Sequence, residues 1–517
     1  MNFLTSKRYP SQILKIALFA TGLSGIVAEY ILSTLATYFI GDSVKQWTLI
    51  LSVMLFSMGL GSRVSQYFEK NLLEKFILCE FLLSILVSFC ALATYTFAIY
   101  IDWIEPIIYS FSIVIGMLIG LEIPLVTRLN DQYEDLRLNI SSVMEKDYFG
   151  SLVGGVFFAY VGLPYLGLTY TPFILGSINF LVAVLVYIQL ENMIETSQKK
   201  LFQILLVATF TLITAGLFAA NPIILYGEQQ RYRDKIVFEQ QTQYQKIVVT
   251  QYKNHYALYL STHLQFNSFD EWLYHEPLVH PLLNLVRHPQ DVLILGGGDG
   301  CAVREVLKYE TVKSITLVDL DPAMTDLGKN NPIFREINQD ALHNKKVKIY
   351  NKDAFNFLAD SLSFYDAIII DFPDPKTIEL NRLYTLEFYK LCYQHLRPQG
   401  FLITQAGSPY FATRAFKSIE KTIASAGFGT LPLHNQVITM GQWGYVIGAK
   451  GLNSQNLKTA LRQMPLAPIE YRWLNREALL HISAFGKDFV PSDEVEINTL
   501  HNPVLYKYYN AGNWDMY

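Results

Sequence analysis

Hydrophobic positions follow two different patterns along the chain. Over the first 225 residues they form long, nearly unbroken runs, most of which could cross a hydrocarbon core of about 30 Å as helices. The runs lie near residues 12–40, 46–62, 76–99, 104–126, 150–168, 171–190 and 202–224. This pattern predicts a multi-pass α-helical transmembrane domain over residues 1–225, with about seven spans in the lipid bilayer of the cell membrane.

After about residue 230, short alternating strands replace the long apolar runs. Lys246–Gln251 and His255–Leu260 predict a small antiparallel β domain over residues 230–285. Strands and helices then alternate over residues 286–450, as in a doubly wound, Rossmann-like parallel sheet. Its predicted strands are Asp291–Leu295, Ser314–Asp319, Val347–Tyr350, Ala367–Asp371 and Gly400–Gln405. Residues 451–517 are interpreted as a C-terminal extension.

Charge separates the same two parts of the chain. The first 225 residues hold 27 charged side chains, and the remaining 292 hold 59. A composition of 51% hydrophobic and 17% charged residues excludes a disordered chain. A net charge of −4 without a basic stripe argues against nucleic acid as a partner. The four cysteines form no CxxC pair, so neither a disulfide framework nor a metal site is expected.

Carboxylates follow the predicted parallel strands at the end where each strand stops. They are Asp299, Asp319, Asp321, Asp353, Asp371 and Asp374. Each could be a helix cap or a turn residue, but all of them at one sheet edge indicate a ligand site. There Asp319 would meet the ribose hydroxyls of a nucleoside. Because the loop Gly296–Gly300 carries an Asp, pyrophosphate is not the expected ligand.

An ordered set of motifs resembles the polyamine aminopropyltransferases, or spermidine synthases. The resemblance covers roughly residues 230–450, and the apolar N-terminal part and the tail through Asn502–Val504 resemble the membrane-anchored branch of that family. The matching elements are Tyr244-Gln245, Gln265, Asp270-Glu271, Tyr274-His275-Glu276, Gly296–Gly300, Arg304-Glu305, Val318–Asp321, Asp353-Ala354 and Asp371–Pro375.

The resemblance implies transfer of an aminopropyl group from decarboxylated S-adenosylmethionine to putrescine, which gives spermidine and methylthioadenosine. The donor is a co-substrate, and no cofactor is implied. Asp371 would be the catalytic aspartate, and Tyr274 would place the attacking nitrogen. The acceptor amine would be held by His275, Asp374 and Gln265. The donor would contact Gln245, Asp319, Asp353, Ala354, Gly296 and Gly298, with its propylamine ammonium on Asp299.

Asp299 accounts for donor selectivity by charge. The carboxylate of ordinary S-adenosylmethionine would be repelled by Asp299 and Asp371, which argues against a methyltransferase. Three departures from the family pattern leave the donor site almost intact and the acceptor open. Asp319 stands where the family usually has Glu, Leu260-Ser261-Thr262 replaces a Leu-Asp-Gly turn, and Gln436–Gly441 replaces a stretch that often supplies an acceptor-site tyrosine. Cadaverine, agmatine or a longer polyamine are alternative acceptors, and a methyltransferase or a non-catalytic polyamine sensor or transporter are alternative functions.

The apolar part contains polar and small residues whose role is open. Two GxxxG motifs would let helices approach closely, although this spacing is also common by chance. They are formed by Gly116 and Gly120 and by Gly150 and Gly154. Glu29, Glu80 and Glu122 lie in or near spans, where a carboxylate is costly. Paired or interfacial carboxylates are the favoured interpretation, and a polyamine path is the alternative.

Basic residues give conflicting information on orientation. Those expected on the cytoplasmic side are Lys7, Arg8, Lys15, Arg63, Lys70, Lys75, Arg128, Arg137, Lys146, Lys199 and Lys200. Seven spans would then place the C-terminal half on the opposite side, whereas Arg231, Arg233 and Lys235 argue for the cytoplasm. We predict a cytoplasmic catalytic domain because the nucleoside donor is made there. This domain could also form a homodimer or a homotetramer.

Overall fold

The computed structural model describes residues 2–41, 43–101, 103–485 and 494–514. Part of the predicted C-terminal extension, residues 486–493 and 515–517, lies outside the described residues. The chain divides into two compact units, Met1–Lys235 and Ile236–Tyr517, which we call the helical unit and the α/β unit.

Six helical stretches of the helical unit are long and apolar enough to cross a membrane. The fifth, Leu136–Gln189, contains two helices joined by a π-helical segment at Phe158–Leu166. The helices are α1 (Asn2–Ile40), α2 (Ser43–Val64), α3 (Leu72–Phe97), α4 (Glu105–Asn130), α5 (Leu136–Phe157), α6 (Gly167–Gln189) and α7 (Thr196–Arg231).

Helices α5 and α6 run in opposite directions beside α1. In α5, Gly150 lies against Phe19 and Gly154 against Leu23, so α5 follows the direction of α1. In α6 the order is reversed. Asn179 accepts a hydrogen bond from Ser24 at 2.5 Å, and Gln189 accepts one from Tyr9 at 2.7 Å. The chain therefore turns back near Gly167, and the described part of the helical unit contains seven long helices.

The two GxxxG motifs lie at helix contacts. A Cβ atom at Gly120 would collide with the carbonyl of Met58 in α2, and one at Gly150 would collide with the carbonyl of Phe19 in α1. Only glycine allows these backbones to approach so closely. The predicted packing role of the motifs is confirmed.

The ends of the helical unit differ in charge. Arg128 joins the end of α4 to the chain after α2, because it donates hydrogen bonds to the carbonyls of Ser65 at 3.1 Å and Phe68 at 2.6 Å. Of the 12 Lys and Arg residues before position 226, all except Lys45 belong to the segments at this end. The last helix reaches the other end, where Tyr38 of α1 donates to Glu228 of α7.

The α/β unit begins with a four-stranded antiparallel sheet in the order β1-β2-β3-β4, which confirms the predicted small β domain. A seven-stranded sheet follows in the order β10-β11-β9-β8-β5-β6-β7. The strands are β1 (Lys235–Gln241), β2 (Lys246–Tyr252), β3 (His255–Leu260), β4 (His263–Asn267), β5 (Asp291–Gly296), β6 (Ser314–Asp319), β7 (Val347–Asn351), β8 (Tyr365–Asp371), β9 (Leu396–Gln405), β10 (Gly429–Val437) and β11 (Gly441–Ala449).

The strands β7, β6, β5, β8 and β9 are parallel, whereas β11 and β10 extend the sheet as an antiparallel hairpin. The strand order reverses direction at β5, so the crevice at the carboxyl ends of β5, β6 and β8 is where a ligand binds in such folds. The helices are α8 (Trp272–Leu285), α9 (Cys301–Leu307), α10 (Pro322–Asn330), α11 (Pro332–Ile337), α12 (Ala354–Asp360), α13 (Ile378–Asn381), α14 (Leu386–His395), α15 (Thr413–Ser425), α16 (Ser454–Gln463), α17 (Arg476–Ile482) and α18 (Leu505–Asn510).

Burial explains why β5 occupies the centre of the sheet. Its side chains Val292–Leu295 are all 0% exposed, and they contribute in turn to the two apolar clusters on opposite faces of the sheet. A strand that is apolar on both sides is stable only where helices cover both faces.

Candidate active site

The two predicted catalytic residues are in direct contact. Asp371 ends β8, and Tyr274 lies in the first turn of α8. The Tyr274 hydroxyl donates a hydrogen bond of 2.6 Å to Asp371 Oδ1. His275 and Asp299 lie at the same place, since one ligand atom of each falls within 4.8 Å of the others and of Asp371. Four of the predicted site residues therefore converge at the carboxyl end of the sheet.

Burial raises the pKa of Asp371 to about 6. The cation of His275 opposes this shift, the charge of Asp299 adds to it, and the hydrogen bond from Tyr274 opposes it. Asp371 is therefore a carboxylate near neutral pH whose proton affinity is higher than that of an exposed aspartate. This is a suitable property for a group that accepts a proton from a substrate.

His275 is part of a buried ion network. Its Nδ1 lies 2.8 Å from Glu271 Oε2, and both oxygens of Glu271 accept hydrogen bonds of 2.9 Å from Arg304. Burial alone would lower the pKa of His275, but its hydrogen bond and attraction to Glu271 raise it to about 9. At neutral pH His275 is therefore a cation, which repels an ammonium group. His275 is thereby a counter-charge to Asp299 and Asp371, and its predicted role as an amine ligand stays a prediction.

The glycine-rich loop sits between two carboxylates. Gly298 N–H donates to Asp319 Oδ2 at 3.0 Å, and a Cβ atom at Gly298 would lie only 2.7 Å from that oxygen. Gly296 has a φ of +81°, and a Cβ atom there would collide with the carbonyl of Asp371. Both glycines are needed for the loop to lie between Asp319 and Asp371.

Asp319 is oriented by the backbone, because Asp321 N–H donates to its Oδ1 at 2.9 Å. Burial raises its pKa to about 6. Gln245 reaches the same region from the small β domain, where its Nε2 donates to Asp321 Oδ2 at 3.1 Å. The predicted donor residues Gln245 and Asp319 are thus linked through Asp321, for which no ligand role was predicted.

Several predicted ligand residues also lie at the starts of helices. Asp353 Oδ1 accepts from Asn356 N–H at 2.9 Å and from Arg382 at 2.8 Å, and Ala354 is the first residue of α12. Asp299 Oδ1 accepts from Cys301 N–H at 2.8 Å. The cap interpretation is therefore correct for Asp353 and the turn interpretation for Asp299, and both are compatible with a ligand on the second oxygen of each carboxylate.

The predicted acceptor residue Asp374 lies where the C-terminal tail returns to the sheet. Tyr509 of α18 donates a hydrogen bond of 2.6 Å to Asp374 Oδ2, and Gln405 donates one of 3.4 Å to Oδ1. Lys376 lies with its ammonium 5.6 Å from the Tyr509 ring centre. Burial raises the pKa of Asp374, and the charge of Lys376 opposes that shift.

The predicted residue Gln265 is in β4, where its side chain donates to the carbonyl of His263 at 3.1 Å. No described contact joins Gln265 to Asp371 or Asp374.

Two kinds of site residue were given no role in the interpretation of the sequence. Glu271 and Arg304 belong to the quoted motifs without an assigned role, although Glu271 and His275 are four residues apart, the spacing of neighbours on one helix face. Tyr509 lies 135 residues from Asp374 along the chain, and no local pattern relates the two.

Three groups of described residues have the spacing of a metal site: Glu271, His275 and Cys301; His275, Asp299 and Asp371; and Glu276, His280 and Glu305. Glu271 and Glu305 already form ion pairs with Arg304 at 2.9 and 2.8 Å. These contacts balance the acidic charge without a metal. The expectation of a reaction without a metal remains a prediction.

Residues 271–459 match the Spermine/spermidine synthase domain. The chain is 43% identical to polyamine aminopropyltransferase 2 of Aquifex aeolicus over 502 residues, which cover 96% of this chain and 98% of that protein. It is 38% identical to the polyamine aminopropyltransferase of Oceanobacillus iheyensis, with 97% and 98% coverage. The chain belongs to the polyamine aminopropyltransferase family. It is thus a transferase that acts in polyamine biosynthesis by aminopropyl transfer. Among solved structures, the spermidine synthase of Thermotoga maritima is 24% identical, with a TM-score of 0.43 over 49% of this chain and 85% of that one.

Proposed function

We propose that the protein transfers the aminopropyl group of decarboxylated S-adenosylmethionine to putrescine and releases spermidine and methylthioadenosine. The observation that carries this proposal is the convergence of Asp299, Asp371 and Tyr274 beside the nucleoside-type site at Asp319. The reaction is a displacement at the carbon attached to the sulfonium. It needs an oriented, neutral amine more than a covalent intermediate.

Asp371 takes a proton from the attacking ammonium. An ordinary amine has a pKa of about 10.4, so it is protonated before it binds. Asp371 and Tyr274 hold this nitrogen in line with the propyl carbon, and the nitrogen forms its bond to carbon as the sulfur leaves with the electron pair. The pKa of Asp371, about 6, lies closer to the pKa of the amine than the pKa of an exposed aspartate does, which eases proton transfer.

Asp299 and Asp319 select the donor. Asp319 accepts hydrogen bonds from the ribose, while Gln245, Asp353 and Ala354 surround the rest of the nucleoside. Asp299 attracts the propylamine ammonium and would repel the carboxylate of ordinary S-adenosylmethionine.

The direct test incubates the purified protein with decarboxylated donor and putrescine and measures methylthioadenosine. Product formation that requires the decarboxylated donor supports the proposal, and turnover of ordinary S-adenosylmethionine to a methylated product contradicts it. Cadaverine, agmatine and spermidine belong in the same assay, because Lys376 beside Asp374 reduces the negative charge available to a second ammonium group. A larger kcat/KM for one of these amines than for putrescine would show that this amine is the preferred acceptor.

We place the protein in the cell membrane, with the α/β unit in the cytoplasm where the donor is made. Of the 12 Lys and Arg residues before position 226, 11 lie at the end of the helical unit away from the one where α7 finishes, which favours the opposite placement. Arg231, Arg233 and Lys235 at the end where α7 finishes favour the cytoplasm. A reporter enzyme fused after Tyr517 distinguishes the two. Activity of a cytoplasmic reporter is expected, and activity of an extracytoplasmic reporter would mean that the substrates are supplied outside the cytoplasm.

A further inference from the structure

The helical unit contains buried carboxylates that the proposed transfer does not use. Glu80 of α3 is 0% exposed and Glu122 of α4 is 1% exposed. Glu122 interacts electrostatically with Glu80 and with Asp147 of α5. Thr21 of α1 donates a hydrogen bond of 2.8 Å to Glu80 Oε1. Four helices therefore bring polar groups to one place in the interior of the bundle.

These groups lie at the same depth. Glu80 comes eight residues after the first residue of α3, and Glu122 comes eight residues before the last residue of α4. Both of these helix ends are at the basic end of the helical unit. Eight helical residues rise about 12 Å. The two carboxylates therefore lie level with each other, about two helical turns inside helices that are long and apolar enough to cross a membrane.

Three oxygens of this pair have no hydrogen-bond partner among the described residues. They are Glu80 Oε2 and both carboxylate oxygens of Glu122. No Lys or Arg of the described helical unit is among its buried residues. An unpaired buried acceptor is costly, and inside a membrane it marks a functional group more often than a structural one.

We propose that Glu80 and Glu122 bind the ammonium group of an organic amine inside the helical unit, with Thr21 orienting Glu80. An ammonium group has three N–H donors, which matches the three unpartnered oxygens. Its charge also offsets the carboxylates. The groups of three or more described residues with the spacing of a metal site all lie in the α/β unit. The choice of a polyamine as the probe rests on the proposed function.

The test uses the full chain in detergent and measures two quantities. The first is the rate at which dicyclohexylcarbodiimide labels Glu122, followed by mass spectrometry with and without spermidine. The second is the number of radiolabelled spermidine molecules bound per chain. Spermidine should slow the labelling at least fivefold, whereas NaCl of equal ionic strength should not. Glu122→Gln and Glu80→Gln should each remove one bound spermidine per chain.

The matched control is Glu29→Gln. Glu29 is another buried carboxylate, 5% exposed, which lies about two turns further along α1 than Thr21. This variant should keep the full number of bound amines. Size-exclusion elution and the helical circular-dichroism signal of the same preparations show whether the helical unit of each variant is folded, and aminopropyl transfer tests the proposed function separately. Equal protection by NaCl, labelling unaffected by spermidine, or unchanged binding in both folded Glu80→Gln and Glu122→Gln would overturn the proposal. If Glu122→Gln does not fold, Thr21→Val and Glu80→Gln must still weaken amine protection of Glu122.

Discussion

Glu271 and Glu276 of the α/β unit and Glu122 of the helical unit are buried carboxylates that are held in opposite ways. In the α/β unit, Glu271 accepts two hydrogen bonds from Arg304, and Glu276 accepts three from backbone N–H groups at 2.6, 3.0 and 2.7 Å. In the helical unit, Glu122 has no hydrogen-bond partner among the described residues. A carboxylate with fixed donors stabilises the fold, whereas one without them is available to a ligand. Asp371 lies between these extremes, since it has one donor, Tyr274, and room for a substrate proton.

The largest effect is expected at Asp371. Asp371→Asn removes the proton acceptor and should lower kcat by about 10²–10⁴-fold, while methylthioadenosine still binds. Steady-state kinetics and equilibrium binding measure the two effects. Asp360→Asn, an exposed carboxylate in the same unit, is the control and should retain activity. Comparable activity of the two variants would show that Asp371 is only a binding residue.

The next largest effect concerns stability. Arg304→Met leaves Glu271 buried without its main partner, and should lower the free energy of unfolding by about 3–5 kcal/mol. Arg335→Met removes an exposed ion pair with Asp340 at 2.6 Å and should change stability little. Urea unfolding of the full chain, followed by protease susceptibility of the α/β unit, measures both. Equal losses of free energy of unfolding in the two variants would show that burial does not decide the contribution of these ion pairs.

A smaller effect is expected from the C-terminal tail. Tyr509→Phe removes the hydroxyl that orients Asp374 and should raise KM for the amine about tenfold, with KM for the donor unchanged. Tyr508→Phe is a matched control on the same helix, because its ring stays on Arg414 at 4.3 Å. A purely structural role of Tyr509 would instead lower activity without changing the ratio of the two KM values.

The smallest effect is the pH dependence near neutrality. Activity should be about half-maximal near pH 6, because Asp371 gains a proton below that value and cannot accept another. It should fall again above about pH 9, where His275 loses its charge. The pKa of His275 is higher in the folded than in the unfolded chain, so its stabilising contribution is complete below about pH 6.5 and lost as the pH rises through 9. A pH profile of kcat/KM without the upper limb would contradict the cationic role of His275.

Local patterns were sufficient to predict the fold class and much of the site. The long apolar runs predicted the helices, and the aspartates at strand ends predicted a common edge because parallel strands must bring their carboxyl ends together. Asp371 and Tyr274 were assigned by resemblance and are in contact. The antiparallel hairpin of β10 and β11 was not predicted, although only three residues separate its two strands. Its place in the sheet depends on the pairing of β11 with β9, which no local pattern shows.

The sequence by itself determined the division into an apolar and a polar part, the strand-end carboxylates and the family. Only the tertiary structure decided their partners. Glu271, which is itself paired with Arg304, makes His275 a cation. Tyr509 reaches Asp374 from 135 residues away, and Glu122 is left without a donor among the described residues. The physical reason is that the periodicity of hydrophobic residues reflects which side of one helix or strand is buried. The charge state and ligand preference of a carboxylate depend instead on which donors other elements bring within hydrogen-bonding distance.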